Sequence, residues 1–241
     1  GIGYEALRNS NSNEFVTAVG YNAFKALAVQ DETLSTALGW KAGAANTTGI
    51  DNTFIGSKSG TAVTTGASSV AVGAKTLLTE TTGSHNVAIG HDSMGSSELA
   101  SKNIGIGTNA LKNMTNSSTP VDMYNVAIGY DAGVSIVTGI RNTLIGGLSG
   151  DSLTGSYNTA VGMFSLSTET GGNYSTAIGY GALEIQNTNT DSHNTAVGYL
   201  AGQLMTTGLR NTLIGSLTGD AMTTGVDNTA VGQGALSALT M

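Results

Sequence analysis

The sequence predicts an all-β parallel solenoid of about 17 residues per turn, wound through 14 turns and packed as a homotrimer. Three observations carry that prediction. An apolar-Gly pair recurs with Gly at 3, 20, 39, 56, 73, 90, 107, 129, 146, 162, 179, 198, 215 and 232, and nine of the 13 spacings are 17 residues. Each pair closes a short segment rich in β-branched residues, such as Asn194-Thr195-Ala196-Val197-Gly198. Composition agrees: only 10% of residues are charged and 35 are Gly, where an ordinary soluble domain is about 25% charged. With 39% apolar residues this is not a disordered chain. It calls for tight turns and stacked small side chains.

The strand comes first. Aligned on the repeated Gly, the preceding residue is always Ile, Val or Leu, and the residue three before is Thr, Val or Ile. The residue four before is Asn in nine copies, among them Asn52, Asn86, Asn142 and Asn211. Such a segment reads as a strand. One strand per turn in constant phase rules out hairpins, which would reverse direction. A parallel coil instead stacks identical residues about 4.8 Å apart, and Asn and Thr ladders satisfy one another along the stack.

The corners come next. A second Gly lies seven before the first in eight copies (49, 66, 83, 139, 155, 172, 208 and 225), with Asn13, Asp122 and Asp191 among its substitutes. These residue types tolerate positive φ, so the position reads as a left-handed corner. The residue three after the repeated Gly is always small, and the next is either Gly or large and apolar. Blocks 130–172 and 199–241 resemble each other at an offset of 69 residues, about four turns.

Alternate strand residues share a face. Thr and Ile/Val form one face; Ala and the repeated Gly form the other. Both are apolar or small enough to be buried, which predicts that the strand packs against other chains as well as its own coil. A core shared by two sheets within one coil is the alternative. The chain begins inside the motif at Gly1 and ends partway through a turn at Met241, so residues 1–241 read as one repetitive segment of a longer fibre.

Charge and motifs narrow the function. A net charge of −7 argues against a nucleic-acid partner. No apolar run approaches the ~18 residues of a membrane span. There is no Cys, the three His are His85, His91 and His193, and no nucleophile elbow, phosphate loop or zinc motif appears. No enzyme, cofactor or metal site is expected.

The candidate binding residues are Trp40, Lys41, Lys58 and Lys75. The lysines each follow the repeated Gly by two in three consecutive turns. As a stripe they would suit an anion or acidic glycan; as a solvated face they would only discourage aggregation. Asp92 continues the row and would neutralise its end. Aromatics directly after the repeated Gly (Tyr4, Tyr21, Trp40, Tyr130, Tyr180, Tyr199) would stack on sugars or fill a half-buried corner. Three longer connections, Lys25–Ser35, Lys112–Tyr124 with Pro120, and Glu184–His193, read as surface loops able to contact a receptor. Asp151 and Asp220 occupy equivalent places in the repeat, as do Arg141 and Arg210, and these charges read as members of surface pairs rather than sites.

The run Asn-Thr-Ala-Val-Gly-Tyr-x-Ala-Leu/Gly with Thr-Thr-Gly, as in Asn194–Gly202 and Thr206-Thr207-Gly208, resembles repeats of phage tail-fibre and fibrous bacterial surface proteins. Asn86–Gly90 and Asn125–Gly129 are similar to head repeats of trimeric autotransporter adhesins, although those repeats are shorter. The resemblance covers essentially the whole chain. It implies a structural and adhesive shaft, homotrimeric, on a virion or cell surface, with a surface glycan or protein receptor as partner. Two rival readings are a polysaccharide-degrading tailspike, which needs a defined carboxylate pair, and an ice-binding solenoid. The second would use the Thr pairs at 47/48, 64/65, 81/82, 206/207 and 223/224, a ladder that breaks at Glu98-Leu99 and Pro120-Val121.

Overall fold

A computed structural model describes residues 1–10, 15–28, 33–115 and 121–237. The chain divides into two compact units, Gly1–Tyr124 and Asn125–Met241. In the first unit the principal ladder holds β1 (Thr17–Val19), β2 (Thr36–Leu38), β3 (Thr53–Ile55), β4 (Val70–Val72), β5 (Val87–Ile89) and β7 (Ile104–Ile106). A minor ladder pairs β6 (Ala100–Ser101) with β8 (Val121–Asp122). The second unit stacks β9 (Val126–Ile128), β10 (Thr143–Ile145), β11 (Thr159–Val161), β12 (Thr176–Ile178), β13 (Thr195–Val197), β14 (Thr212–Ile214) and β15 (Thr229–Val231). Every pairing is parallel, the described residues contain no helix, and the coil makes about 12 turns of ~17 residues.

The predicted solenoid is therefore the fold, with a smaller turn count. Of the 14 motif copies, the first contributes only the bridge Ile2↔Val19. Register never slips. Thr17 faces Thr36 across 19 residues, and Thr143 faces Thr159 across 16. Insertions and deletions are absorbed in the turns, because a slip of one residue would send the inward side chains outward.

The middle residue of each principal strand points into the coil. Ala18, Ala37, Phe54, Ala71, Ala88, Leu144, Ala160, Ala177, Ala196, Leu213 and Ala230 are all at most 5% exposed. The Asn before each strand also points inward. Asn52, Asn86, Asn125, Asn142, Asn158, Asn194 and Asn211 each donate a side-chain N–H to a backbone carbonyl of the next turn at 2.6–2.9 Å. Their Oδ1 atoms accept the next turn's backbone N–H, as from Asn142 to Asn125 and from Asn158 to Asn142, both 2.9 Å. A buried amide is tolerable only when satisfied in this way.

The core also explains why the fourth residue after the repeated Gly is either Gly or large. Bulky Phe54 is met by Gly43 and Gly60, where a Cβ would lie 2.8 and 2.6 Å from its ring. Leu213 is met by Gly202 and Gly219 at 2.9 and 3.0 Å, and Leu144 by Gly150 at 2.9 Å. Where the strand and its successor carry Ala, as at Ala71, Ala160 and Ala177, the opposing positions are Leu77, Leu166 and Leu183. Volume is thus conserved across the coil, as close packing requires.

One expectation needs correction. The glycines seven before the repeated Gly do not have left-handed φ. They are needed for space: a Cβ at Gly49, Gly66, Gly139 or Gly155 would sit 2.0–2.4 Å from a carbonyl oxygen of the next turn. Several of those carbonyls are the ones the Asn ladder binds. The left-handed corners lie elsewhere, five before and two and four after the repeated Gly, and are mostly not glycine: Asp51, His85, Tyr157, Lys58, Leu77 and Leu111 all have φ of 46–61°. Burial separates the two strand faces. The Ala face is the interior of a single coil, whereas the Thr and Ile/Val face points outward, with Leu38 46%, Ile145 37% and Ile214 40% exposed.

Candidate functional site

Lys41, Lys58 and Lys75 have φ of 57, 59 and 60° at the same point of three successive turns, so their side chains leave one corner in one direction. Trp40 sits beside them, 43% exposed. Its ring has the Lys41 Nζ at 4.8 Å and the Lys58 Nζ at 5.2 Å, within cation–π range. The structure thus brings Trp40, Lys41 and Lys58 together and continues the row with Lys75.

These three lysines differ from the other cations of their unit. Arg8 and Lys25 pair with Glu5, Lys102 with Asp122, and Lys112 with Asp92. Among the described residues no carboxylate pairs with Lys41, Lys58 or Lys75. The expectation that Asp92 neutralises the row fails, because its carboxylate lies 2.7 Å from the Lys112 ammonium instead.

The aromatic row is more open than a half-buried corner. Tyr4, Tyr21, Tyr130, Tyr180 and Tyr199 are 45–65% exposed. Its members stack on one another, Tyr4 on Tyr21 at 5.2 Å and Tyr180 on Tyr199 at 5.7 Å. A second stack, not foreseen, runs along the left-handed corner of the second unit. The Arg141 guanidinium lies over Tyr157, Tyr157 stacks on Tyr174 at 5.0 Å, and Tyr174 on His193 at 5.0 Å. The signal is present in the sequence, since these residues share one phase of the repeat, five before the repeated Gly. Their ring faces cover each other and leave edges to solvent.

Arg141 donates to the Tyr157 hydroxyl at 2.7 Å, and Arg210 binds Asp227 through two bonds of 2.6 and 2.9 Å. Hydrogen bonding to Arg210 holds the Asp227 carboxyl below the usual carboxylate range. Asp151 and Asp220 are in neither pair; each keeps one buried oxygen without a hydrogen-bond partner. The expected surface pairs therefore do not include Asp151 or Asp220. Burial pushes the Asp151 carboxyl up, reinforced by Asp131 nearby.

The long connections behave differently from one another. Residues 29–32 and 116–120, including Pro120, lie outside the described residues. On the far side of the second connection, Asp122 accepts from Lys102 at 2.6 Å and from the Tyr124 hydroxyl at 3.3 Å. The third connection is not a free surface loop. Gln186 and Ser192 are buried, and Gln186 donates to Glu169 at 2.9 Å and to Ser175 at 2.8 Å.

Two buried carboxylates were missed because acidic residues were read as surface groups. Glu80 accepts from the backbone N–H of Thr81, Gly83, Leu99 and Ala100, and Glu169 accepts from Gly172 and Thr188. Each occupies an interior position that other turns fill with Val63, Ile136, Met205 or Met222. Among the described residues no three His, Asp or Glu gather as metal ligands. No family model, curated protein or solved structure matches the chain.

Proposed function

We propose that this chain is a shaft segment of a fibrous attachment structure, of the tail-fibre and adhesin kind, that self-assembles as a homotrimer and carries a receptor-binding surface. One observation carries the assembly: the outward strand residues form an aliphatic stripe. Ile89, Ile128, Ile145, Ile178 and Ile214 are 37–40% exposed, each the last residue of its strand and in register with the last residue of the neighbouring strands. Repeated apolar side chains of this size in one line are characteristic of interaction surfaces. Three copies around a common axis cover the stripe on each. Extracellular or virion placement and a surface glycan or protein receptor follow from the resemblance. The repeat is spent on the core and the strand ladder, which favours scaffold over catalyst.

Light scattering on the purified segment tests the assembly. Three times the 24.2 kDa chain mass supports it, and a stable monomer refutes it. One specific observation favours a second reading. Thr143, Thr159, Thr176, Thr195, Thr212 and Thr229 form an unbroken outward column in register. This ladder is more regular than the Thr pairs of the turns and is the one an ice-binding surface would use. Thermal hysteresis by a monomer would establish that reading in place of the shaft.

A further inference from the structure

We infer that the corner formed by Trp40, Lys41, Lys58 and Lys75 is a notch that binds acidic glycan, which deepens the adhesive part of the proposed function by naming a site and a ligand chemistry. Backbone bonds set the frame. The Lys58 N–H donates to Trp40 O at 2.7 Å, Lys75 N–H to Ser57 O at 2.9 Å, and Asp92 N–H to Ala74 O at 2.9 Å. Trp40, Ser57, Ala74 and His91 therefore follow one another in successive turns. The row of large side chains that holds Tyr4, Tyr21 and Trp40 drops to Ser57 and Ala74, then rises again at exposed His91. The gap spans three turns, about 14 Å at the usual strand spacing.

Three ammoniums flank that gap, one per turn. Stacked like charges repel, and Asp92, the next residue of the row, is held by Lys112. Trp40 keeps two of the three in place through its ring. In a chain of net charge −7, the cations of the first unit that lack a carboxylate partner stand at one corner, beside an aromatic ring and a recess. A carboxylate-bearing saccharide supplies what this corner lacks: sparse negative charge for the ammoniums and apolar ring C–H groups for the indole edge. A densely charged polymer such as a nucleic acid suits it less, because the rest of the molecule repels it.

The experiment measures binding of oligogalacturonate, neutral dextran oligomers and a single-stranded oligonucleotide to the full chain by calorimetry at low and moderate salt. Oligogalacturonate is expected to bind, salt-sensitively, and dextran not. The K41Q/K58Q/K75Q variant is expected to bind roughly tenfold more weakly. A K102Q/R141Q/R210Q variant, which removes the same charge away from that corner, is expected to retain binding. Equal loss in both variants, no preference over dextran, or stronger binding of the oligonucleotide would each overturn the assignment. The solution mass, read on the same samples, separates the two proposals: a trimer that does not bind removes the site and leaves the shaft, and a monomer that binds does the reverse.

Discussion

At the scale of the residue, neighbouring glycines do unlike work. Gly146 has φ of 136°, and a Cβ on it would lie 2.6 Å from the Gly162 carbonyl. Gly147 has ordinary φ, and its nearest neighbour would be 4.0 Å away. Gly146→Ala is expected to cost about 2–3 kcal/mol through strain and overlap, while Gly147→Ala is neutral or stabilising by about 0.5 kcal/mol through a less flexible unfolded chain. Thermal or denaturant unfolding of the two variants measures the difference; equal effects would contradict the close approach of the turns.

Glu80 makes a different prediction. Burial raises its carboxyl above the ordinary 4.5, although the amides of Gly83, Ala100, Leu99 and Thr81 pull the other way. The folded state then holds the proton more tightly than the unfolded state. This group's contribution to stability is full below the ordinary value and is lost as pH rises through the folded value. Melting temperature followed across that window should fall with rising pH in the parent chain and flatten in Glu80→Gln. An identical slope in both would show that Glu80 does not titrate there.

At the scale of the element, each turn is a strand plus corners whose volumes complement one another. Phe54 fills space that Gly43 and Gly60 leave. Phe54→Ala is expected to cost about 3–5 kcal/mol, the usual loss for a buried phenyl ring. The corner of Gly60, with φ of 58°, accepts Leu in other turns, as at Leu77 and Leu111. Adding Gly60→Leu to Phe54→Ala should therefore restore much of the stability, whereas Gly60→Leu alone should be severely destabilising against the ring 2.6 Å away. A double-mutant cycle by chemical denaturation tests this, and additive losses would refute the complementarity.

At the scale of the molecule, the interior satisfies itself and the outer sheet face does not. The Asn ladder and the Ala stripe need only the next turn of the same coil. The Ile and Val column is left to solvent on a single chain, and the proposed trimer would cover it. Ile178→Lys should break a trimer held by that stripe without unfolding the coil, since the residue is 38% exposed and its strand partners are backbone. Light scattering with circular dichroism would show a folded monomer; an unchanged mass would place the interface elsewhere.

Much of this was legible in the repeat. Periodicity alone dictated parallel strands, because only a coil keeps one motif in one orientation and phase through every turn. The apolar-Gly pair marked the strand, the Asn position marked the ladder, and Lys41, Lys58 and Lys75 could be placed on one corner by counting. What the sequence left open was the direction each surface faces. Thr and Val can be core or interface, and a glycine can be required by φ or by space; both pairs look alike in one dimension. The winding of the coil decided them. It turned Ala and Asn inward, put the left-handed bends on Lys58, Leu77 and Tyr157, drew Gln186 and Glu80 inside, and left three lysines without a carboxylate partner. Local chemistry repeats along a chain and can be read from it, but burial and pairing depend on which turn lies above and below, and only the stacked structure supplies that neighbour.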